Sequence, residues 1–265
     1  MKKSYLYIIT IVLFALIVGL FVKFDNYKDL ENKTITEDNN KNNDPQQNVP
    51  EEKPNNKGEN ATFKKLEAKK FKLEHEELNG VVPAGRETPY TTITVSEDNP
   101  FRYVDYAYVK ELLQNGTGVL YLGFPKCPWC RSLVPTLTDV LIENNIEEAY
   151  YFNALSIRDI KSLDEEGNIV VEKEGTDEYY ELLDMLSEHL GPYQGLNDES
   201  IKRLYFPTVV FVKDGQIVGV HEGTVESQTN PQVLLDEEQT TELKNILTLN
   251  LEKTYPQKCK TEGTC

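Results

Sequence analysis

VLYLGFPKCPWCRSLVPTLTDVL, residues 119–141, decides how the rest of the chain is read. Residues 119–124 are an unbroken apolar run, the pattern of a central strand buried on both faces. Beyond the cysteines, Leu133, Leu137, Val140 and Leu141 recur at helical spacing. Between the two halves stands Cys127-Pro128-Trp129-Cys130. Pro128 suits the first position of a helix, where an N–H has no intrahelical partner to lose. Cys127 then precedes the first turn, where unpaired N–H groups and the helix dipole stabilise a thiolate. Two intervening residues bring Cys130 one turn on, close enough to displace a substrate sulfur from Cys127. Two other uses of such a pair are weaker. A structural bridge closing so small a loop gains little chain entropy. A zinc half-site needs two further ligands at matching spacing, whereas His75, His189 and His221 are scattered.

Outward from this segment, residues 91–255 alternate as an α/β domain does. Residues 91–95 predict a first strand. Asp105 can cap a helix with Val109, Leu112 and Leu113 on one face, stopped by Gly116. Residues 149–152 predict the next strand. A charged segment, residues 156–175, has a turn at Glu166-Gly167-Asn168 between short extended pieces. Tyr179, Leu182, Leu183, Leu186 and Leu190 line a helix that Gly191 ends. Residues 208–212 and 217–221 flank Asp214-Gly215, the clearest hairpin signal in the chain. Leu243, Ile246, Leu247 and Leu251 predict a last helix. The order implies a mixed sheet, a parallel core completed by an antiparallel hairpin, with helices on both faces.

What precedes the domain is different in kind. Residues 1–24 read as a short leader and a transmembrane signal-anchor. The apolar stretch 5–22 has the length needed to cross ~30 Å of hydrocarbon, shows no polar face, and lacks a small-residue cleavage site after it. Lys2 and Lys3 precede it and Asp25 and Asp29 follow, so the N-terminus is expected in the cytoplasm and the domain outside the cell membrane. Residues 25–62 hold ten Asn and only four large apolar residues, the composition of a disordered spacer. Residues 63–90 form a charged connecting segment, of which 63–80, rich in Lys and Glu, fit either a short solvated helix or more spacer. The net charge of -16 argues against nucleic-acid partners.

Three features of residues 90–255 together resemble the thioredoxin superfamily. The segment quoted first is similar to that family's strand, active-site turn and helix, with Pro135 where the family commonly has a helix-kinking proline. Phe206-Pro207-Thr208 resembles its cis-proline loop entering a strand. The Asp214-Gly215 hairpin ending in Gly223 is the third. The resemblance implies a thioredoxin-like fold, a cis peptide bond at Pro207, and a Phe206 backbone offered to a client peptide. It departs at Tyr121, six residues before Cys127, where thioredoxins carry a buried Asp that helps move the proton. Pro128-Trp129 is likewise closer to the Pro-aromatic pair of glutaredoxins. In organisation the chain resembles anchored thioredoxin-like proteins of Gram-positive bacteria, including those similar to bacteriocin-transport accessory proteins.

The expected function is therefore thiol–disulfide exchange on secreted or surface proteins. Cys127 is the attacking and Cys130 the resolving thiol, and Phe206, Pro207 and Trp129 meet the substrate. No dissociable cofactor and no metal are required, because the cysteine pair holds the electrons. Oxidase, reductase and isomerase directions all use such a site, and a membrane redox partner fits each. A non-catalytic binding module serving a secretion or transport partner is the alternative. In the tail, residues 256–265, Cys259 and Cys265 bracket a short Gly-containing loop. Outside the cytoplasm they suit a structural disulfide, with electron relay to the first pair left open.

Overall fold

The computed structural model describes residues 57–256. The expected anchor, the spacer up to residue 56, and Cys259 and Cys265 lie outside the described residues. Among those described, no helix is long and apolar enough to cross a membrane.

The apolar run becomes β2 (Gly118–Leu122), buried at every residue and lying in the middle of a five-stranded sheet. β3 (Ala149–Phe152) pairs parallel with β2 on one side and with β1 (Phe101–Tyr103) on the other. On the far side of β2 runs β6 (Thr208–Lys213), antiparallel, and β7 (Gln216–Glu222) closes the order β1-β3-β2-β6-β7. The β6–β7 turn has positive φ at both Asp214 (49°) and Gly215 (72°), the type I′ geometry that an Asp-Gly pair favours. The fold is thus α/β, with a mixed sheet flanked by helices.

Four of the α-helices start at a residue whose side chain caps them: Asp105, Cys127, Thr176 and Asp236. Asp105 accepts the Tyr108 N–H (2.9 Å) ahead of α2 (Tyr106–Asn115), which covers one sheet face through the Tyr108–Tyr150 ring contact. The opposite face takes α3 (Pro128–Glu143), which stays continuous through Pro135, and α5 (Glu237–Thr254) packed against it. α5 approaches so closely that a Cβ on Gly219 of β7 would stand 2.2 Å from Asn250 Oδ1. The charged segment between β3 and α4 (Asp177–Leu186) forms a two-stranded antiparallel arm of β4 (Ile160–Leu163) and β5 (Ile169–Lys173).

Two findings depart from the sequence reading. The first concerns α1 (Lys57–Glu76), which begins within the stretch assigned to the spacer and continues through the charged segment. It packs on β1 through a stripe one residue wide, Ala68, Phe71 and His75. The Phe71 ring stacks on Phe101 (4.3 Å) and meets Tyr151 edge-on (5.1 Å). A stripe so narrow among Lys and Glu gives little amphipathic signal. The second concerns residues 91–95, which form no strand. Ile93 and Val95 are buried as alternation predicts, but side chains take their backbone N–H groups: Asn79 Oδ1 accepts from Ile93 (3.0 Å) and Glu76 Oε1 from Val95 (2.7 Å).

Because Phe71 is fully buried, Phe71→Ala is expected to lower unfolding stability by ~3–5 kcal/mol in urea denaturation. Leu73→Ala on the exposed face of the same helix should change it by no more than ~0.5 kcal/mol.

Candidate active site

The strand β2 delivers the chain to a short loop, and the loop delivers Cys127 to the N-cap of α3. Its backbone there is extended (φ -77°, ψ 119°), and Pro128 occupies the first turn. The sulfur of Cys127 accepts the Cys130 N–H at 3.2 Å, replacing one partner the helix start lacks. On its other side Sγ lies 3.5 Å from the Phe206 carbonyl oxygen, to which the thiol donates. The Phe206–Pro207 peptide bond is cis, and β6 begins at the next residue. The Phe206 ring stands edge-on to Phe124 at 5.4 Å. Trp129 is half-buried and shares with Phe206 the wall of a cleft of about 760 Å³, which Tyr205, His221 and Glu222 also line. The five residues expected to act together do lie together around one thiol.

Both described cysteines are free thiols, and their environments differ. Cys127 is 5% exposed, while Cys130 is fully enclosed. A hydrogen bond from the Cys130 thiol, seconded by the N–H groups of Cys130 and Trp129 and by the charge of Arg158, holds Cys127 below the ordinary thiol value despite its burial. Cys130 moves the other way. Burial drives it well above the ordinary value, and the sulfur of Cys127 beside it adds to the rise. Beneath Cys130 lies Tyr121, also fully buried. Its hydroxyl faces the sulfur without closing a hydrogen bond of ordinary geometry, and burial holds that phenol neutral. The Tyr121 ring stacks on Tyr151 (5.4 Å), whose hydroxyl, with that of Tyr103, points to Glu74 of α1.

Two arginines belong to this site that the sequence does not single out. Arg131 directly follows Cys130, where a cation at a helix start reads as an unfavourable surface residue. It is fully buried. It donates to the carbonyls of Thr91 (3.0 and 2.7 Å), His75 (2.7 Å) and Pro125 (3.3 Å), and to Asn79 Oδ1. The side chain so joins the loop before Cys127 to the end of α1 and to residue 91. Arg158 follows β3 and lies with its Cζ 5.0 Å from the Phe206 ring centroid. No local pattern marks it, because only the fold brings it to Phe206. Lys126, beside the motif, is exposed.

At this level the chain is an α/β domain with a buried dithiol at a helix N-terminus, facing a cis-proline loop. Compared with protein-family models and with curated proteins, it matches none of them.

The two thiols should separate cleanly by reactivity. In the reduced protein at pH 7, iodoacetamide is expected to label Cys127 at least ~10-fold faster than Cys130, since the thiolate is the nucleophile. Cys127 lies below the free-thiol value of about 8.5, so its rate should fall only at pH values below that of a free cysteine. Peptide mapping of the alkylated chain across pH 5–9 measures both.

Proposed function

We propose that the chain is a thiol–disulfide oxidoreductase of thioredoxin-like fold, held by residues 5–22 at the cell membrane and acting on extracytoplasmic proteins. The observation that carries the reading is the Cys127 sulfur, capping α3, depressed in pKa, and 3.5 Å from the carbonyl that precedes cis Pro207. The location rests on the sequence pattern of residues 1–24.

Reduction of a client runs in two displacements. The Cys127 thiolate attacks one sulfur of the client disulfide, a Cys127–client S–S bond forms, and the other client sulfur leaves as a thiolate that takes up a proton. Cys130 then loses its proton and attacks Cys127 Sγ. A Cys127–Cys130 bond forms and the second client sulfur leaves, so two electrons have passed from the pair to the client. Oxidation of a client dithiol is the same sequence reversed.

The environments order these steps. In the resting pair Cys130 is held protonated by burial and by the electron-rich Cys127 sulfur. Once that sulfur is tied up in a mixed disulfide, its contribution is gone and Cys130 ionises more readily. Tyr121 faces the sulfur as a neutral hydroxyl and can donate to the anion as it forms. Ionisation of Cys127 also removes the proton it gives to the Phe206 carbonyl. That carbonyl, on the edge of the cleft, is then open to accept a backbone N–H from an extended client segment.

The test is covalent trapping. Cys130→Ser in the full chain should accumulate mixed disulfides between Cys127 and client proteins, released by dithiothreitol, while Cys127→Ser and the double variant trap none. Failure of Cys130→Ser to hold any client would remove the exchange reading in favour of a docking module.

A further inference from the structure

Two guanidinium groups stand on aromatic rings of the cis-proline loop, Arg158 on Phe206 and Arg203 on the adjacent Tyr205. Arg158 lies over the Phe206 ring at 5.0 Å. Arg203, three residues before Phe206, lies over the rings of Tyr193 at 4.0 Å and Tyr205 at 5.4 Å. Both side chains are half-buried. Burial and then the neighbouring charge of Arg203 push Arg158 below its ordinary value, as expected of two cations held close together.

Neither has a carboxylate in direct contact, although the charge of neighbouring Asp159 reaches Arg158. Among the described residues no carboxylate is within ion-pair distance of Arg158 or Arg203, and neither side chain donates a hydrogen bond to another described residue. The Arg203 Nε is buried without any partner. The one acid of this cluster, the fully buried Asp159, is ion-paired with Lys161 at 3.0 Å, so two positive charges remain over. In a chain with 44 Asp and Glu against 28 Lys and Arg, a neutralising carboxylate would be easy to supply. Leaving like charges together, partly desolvated and unpaired, is unfavourable unless something else brings the counter-charge. The aromatic faces hold the guanidinium groups in place, and apart from the buried Arg203 Nε–H their remaining N–H groups have no acceptor among the described residues and can meet a planar one. The cleft beside Trp129, by contrast, carries Glu222, Glu226 and Glu242 and would repel an acid.

We infer that Arg158 and Arg203 form an anion subsite beside Cys127, taking a carboxylate side chain that flanks the reactive cysteine of a client peptide. The inference rests on the exchange reading for its client and adds the client's charge: acidic sequences next to the cysteine are selected.

The chain's single tryptophan, Trp129, lines the cleft with Phe206 and reports occupancy by fluorescence without any redox step. The full chain, reduced, is titrated with two peptides in which Ser replaces the cysteine and the flanking residue is Glu or Gln. The Glu peptide should bind about tenfold more tightly at low ionic strength, the scale of one charge-assisted contact. The advantage should fade in about 1 M salt, where the screening length is about 3 Å. It should fall to within about twofold in Arg158→Gln and in Arg203→Gln, yet persist in Lys213→Gln, which removes one positive charge at the far end of β6. Equal binding of the two peptides by the unaltered chain, or an undiminished preference in Arg158→Gln, overturns the subsite. The cysteine-containing disulfide forms of both peptides are assayed for exchange in parallel. Loss of exchange with both tells against the oxidoreductase reading, whereas the Glu-to-Gln binding ratio decides the subsite on its own.

Discussion

A helix that begins just beyond the end of a central strand presents backbone N–H groups with no helical acceptor, and at α3 the Cys127 sulfur accepts the one from Cys130. Much of the domain serves to hold that contact. β2, buried along its whole length, fixes where the loop leaves the sheet. β6 pairs with β2 in a register that sets Thr208 opposite Leu122, so the residues before it arrive beside the cysteine. The Phe206 carbonyl and ring then close the sulfur in from the other side. Exposure of 5% leaves Cys127 a narrow opening, and none leads to Cys130. An inward thiol held above the ordinary value beside an outward thiol held below it follows from this placement and not from any difference in the residues themselves.

The parts legible in the sequence are those whose cause is local. A continuous apolar run, an Asp ahead of a helix, apolar residues at helical spacing and an Asp-Gly pair between alternating strands each act within a few residues, and the structure has β2, α2, α4 and the β6–β7 hairpin where these signals lie. Residues 91–95 show the limit of such reasoning. Alternation correctly marks Ile93 and Val95 as inward, yet it says nothing of who satisfies the backbone, and here Asn79 and Glu76 take the place of a neighbouring strand. The resemblance also implies a cis Pro207 near the cysteine pair, and the structure sets the Cys127 sulfur 3.5 Å from the Phe206 carbonyl ahead of a cis Pro207. Arg158 and Arg203 are not legible in either way, since each acquires its meaning from an aromatic ring far off in sequence or across a loop.

The floor beneath the site is aromatic and not carboxylate. Tyr121, Tyr151, Phe101 and Phe71 form a continuous ring cluster running from Cys130 to α1. Burial keeps the Tyr121 and Tyr151 hydroxyls neutral, and Glu74 collects the hydroxyls of Tyr103 and Tyr151 at its outer rim. Such a floor offers Cys130 a hydrogen-bond donor and no base, which makes its proton depend on events at Cys127.

Arg131 places a further demand on the chain's history. Its charge is satisfied by carbonyls and an amide drawn from α1, from the segment between α1 and β1, and from the loop of the cysteines. A recombination that exchanged only the part of the gene from residue 91 onward would deliver this guanidinium to a new partner without its acceptors at His75 and Asn79. Helix α1 and the dithiol helix are therefore tied into one unit by this side chain, and neither keeps its polar contacts without the other.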